Sequence, residues 1–307
     1  MSKLISITGK LGSGKSTVTK ELCSLWKCNK YSTGDAQRQL AQQRGITTLE
    51  LNLISETDPT IDREIDSMFG KIALSDDDLI VDSRMAWFFL PRSLKIKLTV
   101  QGFEAARRVL HDLERTSENR SSIEDTYQNL KSRRESERRR FIQTYGVDIE
   151  DERNFDLVID TTDASPKAVV NLIDRQAARY FSSAPIHKFW ASPKSMFPTG
   201  PVPDLSDREG QELIHSIRDE GFDEQFPITL AGNENGFFIF DGHRRASAAL
   251  VENRNFVPVN FLGHTDISYR LTPEEFIKDK FDLSLVEPWE KEHGFNFSHS
   301  PIRTISV

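Results

Sequence analysis

The run Leu4-Ile-Ser-Ile-Thr8 is a short apolar segment closed by glycines, and Ser16–Leu25 then spaces its apolar residues at helical intervals. The pattern predicts a buried strand, a tight loop and an amphipathic helix. Alternation of this kind continues to about residue 180. Lys30–Ser32 reads as a short strand entering Thr33-Gly34-Asp35, with a helix through Gln43. Asp76–Asp78 precede Leu79-Ile-Val-Asp82, a strand that ends on a carboxylate. Leu94–Val100 is another strand, followed by a helical Phe103–Glu114. A very polar helical stretch runs from about Ser121 to Tyr145, then a last strand, Leu157–Asp160, and a closing helix, Pro166–Tyr180. The predicted fold is α/β: a mostly parallel sheet with helices on both faces, its ligands collected at the carboxyl ends of the strands.

The texture changes between Ser182 and Leu205, where Pro185, Pro193, Pro198, Pro201 and Pro203 mark a linker or an irregular entry into a new domain. The expected domains are 1–181 and 182–307, the second smaller and α+β. It opens with a helix at about Asp207–Glu220, a turn at Gly221 and a strand at Pro227–Leu230. Asn233–Gly236 has hairpin-turn chemistry. Strand Phe237–Phe240 runs into Asp241-Gly-His-Arg-Arg245 and an alanine-rich helix, with a further strand at Val257–Phe261. The tail from Thr265 predicts one helix, Pro273–Lys280, and there is no internal repeat.

Composition narrows the class. No apolar run approaches the ~18 residues of a membrane span, and the N-terminus lacks a leader's basic-then-apolar layout, so the expectation is a cytoplasmic protein. Cys23 and Cys28 read as free thiols of a reducing compartment. Charge is uneven: the chain to Ser183 is balanced, while 12 basic and 19 acidic residues from Ala184 onward supply the whole net charge of −7. An acidic second half argues against broad nucleic-acid binding there, since phosphate contacts need Lys and Arg. Six of the seven histidines lie in that half, none at metal-ligand spacing.

The loop Gly9–Thr17 fits G-x-x-x-x-G-K-[ST] between the predicted strand and helix. Such a loop wraps its backbone N–H groups around a phosphate at a helix N-terminus. Gly9, Gly12, Ser13, Gly14 and Thr17 would form the cradle, Lys15 would reach the β- and γ-phosphates, and Ser16 would hold Mg²⁺. Three further groups point to a small kinase. Arg38 lies one helical turn past Asp35. Asp82 and Arg84 flank Ser83 at the next strand end. Arg133–Arg140 carries five arginines in eight positions. That last run also reads as a solvated helix with i,i+4 pairs such as Glu135–Arg139. Arginines suit bidentate phosphate contacts, and a closing arginine-rich lid would expel water from the transfer.

With these residues in place, the first ~175 positions resemble the cytidylate kinases, especially the short archaeal-type nucleoside monophosphate kinases. The resemblance rests on Gly9–Thr17, Ser32-Thr-Gly-Asp35 with Arg38, and Asp58-Pro-x-Ile-Asp62-Arg-x-Ile-Asp66. It continues in Asp82-Ser-Arg84, Glu135-Ser-Glu137-x-x-Arg140-Phe, Tyr145-Gly-x-Asp148 and Leu157-Val-Ile-Asp160-Thr-Thr. It implies that Arg38 grips the acceptor phosphate, with Asp35 beside it, and that Asp82 and Arg84 line the acceptor site. Arg133, Glu137 and Arg140 match the lid pattern R-x-x-x-[DE]-x-x-R, and Arg108 matches an arginine on the helix before the lid, on the ATP side. Two positions depart from the family: Ser83 replaces a usual glycine, and Ala105 a usual arginine.

In the second half, Glu212-Leu-Ile-x-Ser-Ile-x-x-x-Gly221, Pro227-Ile, Asp241-Gly-His-Arg-Arg245 and Val257-Pro-Val resemble the ParB/sulfiredoxin-like domain over about 184–262. That resemblance implies phosphate contacts of a bound nucleotide from Gly242, Arg244 and Arg245, with Asp241 and His243 in the same turn. Sulfiredoxin chemistry needs a cysteine where His243 stands.

Together these readings predict an ATP- and Mg²⁺-dependent phosphotransferase acting on a nucleoside monophosphate, CMP, dCMP or a modified pyrimidine nucleotide, with Lys15, Arg133, Arg140 and Asp82 as its catalytic set. A monophosphate is already an anion and needs alignment and charge neutralisation only. A second reading makes the acceptor a hydroxymethylated base in DNA, or another hydroxyl, with Asp35 or Asp82 taking its proton and the ParB-like domain docking the substrate. A third makes the chain a non-catalytic nucleotide-gated switch.

Overall fold

Apolar runs too short to make helices become strands, and in the computed structural model the first of these is β1 (Leu4–Gly9). The structure describes residues 3–47, 50–51, 54, 58–73, 77–112, 122–233, 236–262 and 272–297. Asp76, residues 113–114, Ser121 and the hairpin tip 234–235, all used above, lie outside them. Among the described residues no helix is long and apolar enough to cross a membrane.

The described chain divides into two compact units. The first comprises Met1–Thr99, Gln128–Val158 and Val169–Ile186; the second comprises Val100–Tyr127, Ile159–Ala168 and His187–Val307. In the first, β1 is followed by α1 (Lys15–Trp26), β2 (Asn29–Ser32), α2 (Thr33–Gln43), α3 (Pro59–Ala73), β3 (Leu79–Asp82), a short α4 (Ala86–Phe89) and β4 (Leu94–Thr99). The sheet order is β2-β3-β1-β4-β5, where β5 is Leu157–Asp160. β1 lies parallel to β3, with Ile7 opposite Asp82, and parallel to β4, with Thr8 opposite Lys97. Ile5, Ile7, Ile80, Val81, Leu94, Ile96 and Leu98 are all buried. Successive residues of a strand point to opposite faces, so burial of neighbours means that both faces are covered. The carboxyl ends of β1 and β3 therefore meet beside the glycine loop.

One boundary differs from the pattern reading. Thr33-Gly34-Asp35 forms the first turn of α2 rather than a strand end, because the Ser32 hydroxyl caps the helix by accepting the Asp35 N–H at 3.3 Å. The polar helix, α6, spans Ile123–Tyr145, after α5 (Gly102–His111); α7 (Pro166–Phe181) follows β5.

In the second unit the sheet order is β6-β10-β8-β9-β7. These are β6 (Phe189–Ala191), β7 (Met196–Phe197), β8 (Ile228–Asn233), β9 (Gly236–Asp241) and β10 (Val257–Phe261), with α8 (Arg208–Glu220) and α9 (His243–Val251). The proline-bearing stretch is thus an irregular entry: Trp190, Ala191, Met196 and Phe197 are core residues, and Pro193 opens a single 3₁₀ turn. Past α10 (Pro273–Lys280), the tail holds a further helix, α11 (Val286–His293), that the pattern does not announce. Its Trp289 is buried among Ala246, Ala249, Phe238 and Ile239 of the core, and the indole N–H donates to the Gly200 carbonyl at 3.0 Å.

Candidate active site

The phosphate loop is shaped by two kinds of glycine. Gly12 and Gly14 take φ of 81° and 76°, the left-handed region that side chains disfavour. Gly9 is there for space: a Cβ on it would lie 2.7 Å from the Leu98 carbonyl oxygen of β4 and 2.7 Å from the Ser13 hydroxyl. The loop is closed by the Ser13 N–H donating to the Lys10 carbonyl at 3.2 Å. α1 begins at once, with Gly14 as an N-cap that has no side chain to bond the first turn. First-turn N–H groups have no intrahelical acceptor, so this end presents donors to an anion. Ser16 and Thr17 stand exposed in that turn. A backbone cradle without room for a Cβ at Gly9, an uncapped helix start, a lysine and a hydroxyl fit a nucleotide triphosphate with its Mg²⁺.

Lys15, the first residue of α1, is ion-paired with Asp82 at the end of β3, where the carboxylate is almost fully buried. Ser83 is buried next to it; its N–H donates to the Ile7 carbonyl at 3.1 Å and its hydroxyl accepts the Met85 N–H at 3.2 Å. Arg84 reaches Glu137 of α6, and the Arg133 Nε donates to the same carboxylate at 3.2 Å. Arg84, Arg133 and Glu137 thus form one cluster from two distant stretches of sequence. The Arg140 guanidinium lies 5.0 Å from the Phe141 ring. Arg38 pairs with Asp35, whose other neighbour is Lys30 at 3.4 Å. Burial would raise the Asp35 carboxyl, but the hydrogen bond from Arg38 and the charge of Lys30 hold it below its ordinary value.

In the second unit, Arg108 donates to Glu104 at 2.6 Å and to the carbonyls of Thr161 and Thr162 at 2.8 and 2.9 Å. Buried Glu104 also takes Arg107 through two bonds of 2.6 and 2.7 Å. Ala105, the departure from the family pattern, is itself buried. Asp241 ends β9 and Gly242 turns at φ 102°. Arg245 is bound to Asp241 at 2.5 Å and to the carbonyls of Phe226 and Pro227 at 2.6 and 2.9 Å, while Arg244 pairs with Asp207 at 2.6 Å. The His243 Nε2 accepts the Thr199 N–H at 3.3 Å, and burial lowers its proton affinity.

Asp160, the last residue of β5, is fully buried. Burial pushes its carboxyl from the ordinary 3.8 up to about 6, against hydrogen bonds from Thr162 and with help from the nearby Asp163 charge. On raising the pH, the unfolded chain ionises this group first, so the folded form loses relative stability between pH 4 and 6. The loss amounts to about 3 kcal/mol. Asp160→Asn is therefore expected to be more stable than the parent at pH 7 and equal to it near pH 4, as measured by urea denaturation. Parallel stability profiles across that range would contradict the assignment.

Pattern reading passed over several charged residues. Lys97 is 4% exposed, in the predicted strand Leu94–Val100. A lysine at alternate spacing in a strand covered on both sides was the available signal. Glu150, its partner, sits in a stretch without periodicity, and Glu104 looks like an ordinary helical surface acid.

A protein-family model described as an AAA domain matches residues 5–140. A cytidylate kinase from Haloarcula marismortui is 35% identical over 169 residues, which cover 55% of this chain and 86% of that protein. The chain belongs to the cytidylate kinase family. A second cytidylate kinase, from Natronomonas pharaonis, is 34% identical over 178 residues, 58% of this chain and 90% of its own length. As a member of the family the chain is a phosphotransferase, and it uses ATP with Mg²⁺ as P-loop kinases do. A relative of another kind, an S-adenosylmethionine-dependent nucleotide dehydratase from Lacinutrix mariniflava, is 30% identical over 252 residues, 76% of this chain and 51% of its own length. That is more of the chain than residues 1–181 contain, so this similarity extends into the second half. Among solved structures, a shikimate kinase from Acinetobacter baumannii aligns with 60% of this chain and 94% of its own at 15% identity and a TM-score of 0.39.

Proposed function

We propose that this kinase transfers the γ-phosphoryl group of ATP to a pyrimidine nucleoside monophosphate, CMP, dCMP or a modified pyrimidine nucleotide. The observation that carries the reading is the gathering of Arg84 and Arg133 on Glu137, which puts two guanidinium groups at the carboxyl end of β3, the strand paired parallel with β1. The loop N–H groups and Lys15 bind the donor phosphates, and Ser16 holds the Mg²⁺. Bound there, Mg²⁺ would neutralise phosphate charge. Arg38 and Arg84 grip the acceptor phosphate, Glu137 orients Arg84 and Arg133, and Arg133 with Arg140 offsets charge on the transferring group. The acceptor is already an anion, so Asp82 acts by holding Lys15 rather than as a base.

The dehydratase relative favours the modified member of this substrate class. Its name states a nucleotide as the object of a dehydration, and it shares sequence with both halves of this chain. On this reading residues 1–181 are the kinase domain and 182–307 a ParB/sulfiredoxin-like domain that binds nucleotide through Asp241–Arg245.

The full chain, supplied with labelled ATP–Mg²⁺ and a panel of nucleoside monophosphates, deoxynucleoside monophosphates, base-modified pyrimidine monophosphates and hydroxymethylated DNA, is expected to label a pyrimidine monophosphate. Labelled DNA with inert monophosphates would replace the reading with the hydroxyl-acceptor one. Tight ATP binding without any transfer would leave the nucleotide-gated switch.

A further inference from the structure

We propose that Glu150, together with Lys97, is a positioning residue for phosphoryl transfer, fixing the rotation of α6 so that Arg133, Glu137 and Arg140 face the nucleotides. This rests on the role given to α6 above. On a helix, Arg133, Glu137 and Arg140 share one stripe at i, i+4 and i+7, and Arg134, Arg138 and Phe141 share the adjacent stripe, about 100° around the axis.

The second stripe is held by the chain that returns from the helix. Arg138 makes two bonds to Asp148, of 2.9 and 2.6 Å, and the Arg134 Nε lies 3.9 Å from the Glu150 carboxylate. Phe141 is buried. The return segment is itself fixed: Asp148 accepts the Glu150 N–H at 2.9 Å, and its carbonyl accepts the Asn154 amide at 3.1 Å.

Glu150 extends this hold to the sheet. The Lys97 ammonium donates to the Glu150 carbonyl at 3.0 Å and lies 3.4 Å from its carboxylate, with the Phe155 ring 5.3 Å away. A buried ammonium is costly unless paired and hydrogen-bonded, and removing one partner of such a pair is strongly destabilising. Lys97 faces Thr8 in register, one residue before the loop glycine Gly9. Burial would raise the Glu150 carboxyl, yet Lys97, Lys10 of the phosphate loop and Arg134 of α6 bring it below its ordinary value. One carboxylate thus meets a cation from β4 and one from the arginine-rich helix, and the charge of Lys10 in the phosphate loop also favours its ionised form. An exposed pair alone would do little to orient a helix; Glu150, which meets the partly exposed Arg134, is held from its other side by Lys97 in the sheet core.

The test uses the full chain with Glu150→Gln, which keeps shape and removes charge. We expect kcat for the labelled monophosphate to fall by roughly a hundredfold, the scale of an ångström misplacement, while the KM for ATP stays within about threefold. Trypsin should cut after Arg134 and Arg138 faster than in the parent. An unchanged kcat per folded molecule, or an unchanged cleavage rate at those two sites, would overturn the proposal. Should Glu150→Gln fail to fold, the double variant Lys97→Met/Glu150→Gln, which strands no buried charge, is judged by the same two measurements. Cleavage needs no phosphoryl acceptor. If the parent labels no monophosphate, the functional reading fails while the proteolysis still decides whether the clamp exists.

Discussion

Lys15→Ala is expected to reduce phosphoryl transfer by roughly a thousandfold, the upper range for removal of one group that stabilises transition-state charge. It should also lower stability, for a separate reason. Asp82 is 4% exposed at its side chain and is ion-paired with Lys15. Taking away the lysine leaves a buried carboxylate without its cation, at a cost of about 3 kcal/mol, the low end for such pairs because Lys15 is partly reached by water. The two effects come apart in the double variant Lys15→Ala/Asp82→Asn. Removal of the stranded charge should restore most of the stability in urea titrations, while transfer stays lost. If stability and activity returned together, Lys15 would be a structural counter-ion and not a phosphate ligand.

Gly9→Ala is expected to lower stability by about 3 kcal/mol, as overpacking does where nothing can yield. One of the atoms that the new methyl would meet at 2.7 Å is a carbonyl oxygen of the neighbouring strand β4, and the other belongs to Ser13 inside the loop. Relief must come from moving the loop, so kcat should drop by roughly a hundredfold as well. Gly14→Ala is the informative comparison. Space around Gly14 is open and only its φ of 76° opposes a side chain, which predicts a loss of about 1 kcal/mol. Equal losses at the two positions, read from thermal or urea unfolding, would show that backbone conformation alone governs the loop.

What the residues announce in advance is what local chemistry dictates. Glycines at fixed spacing before Lys15 can be read because a phosphate cradle needs them there. The carboxylate ending Leu79–Asp82 and the stripe Arg133–Glu137–Arg140 can be read because strand ends and helical spacing place them. The fold class of the first 180 residues follows from the same periodicities. Partnerships made by tertiary packing are not written locally. Lys97 looks solvated until both faces of β4 are covered, and Glu150 gains meaning only from the three cations around it. Ser32 capping α2 moved a boundary by three residues, since a cap competes locally with strand continuation. α11 escaped notice because eight residues, five of them charged or histidine, show too little periodicity to register; Val286 and Trp289 tie it to the core.

That tryptophan has a bearing on synthesis. Its indole N–H closes on Gly200, 89 residues earlier in the chain, and the second unit also draws on Val100–Tyr127 and Ile159–Ala168. The two units are interleaved along the polypeptide, and the later one cannot complete its core until Trp289 has left the ribosome. Contacts of such long range close slowly because loop entropy is lost before they form. During elongation, the Phe197 and Phe238 rings, which Phe281 and Phe297 pack against, would stand open to water for the time needed to add the last fifty or so residues of that core, an interval in which aggregation competes with folding.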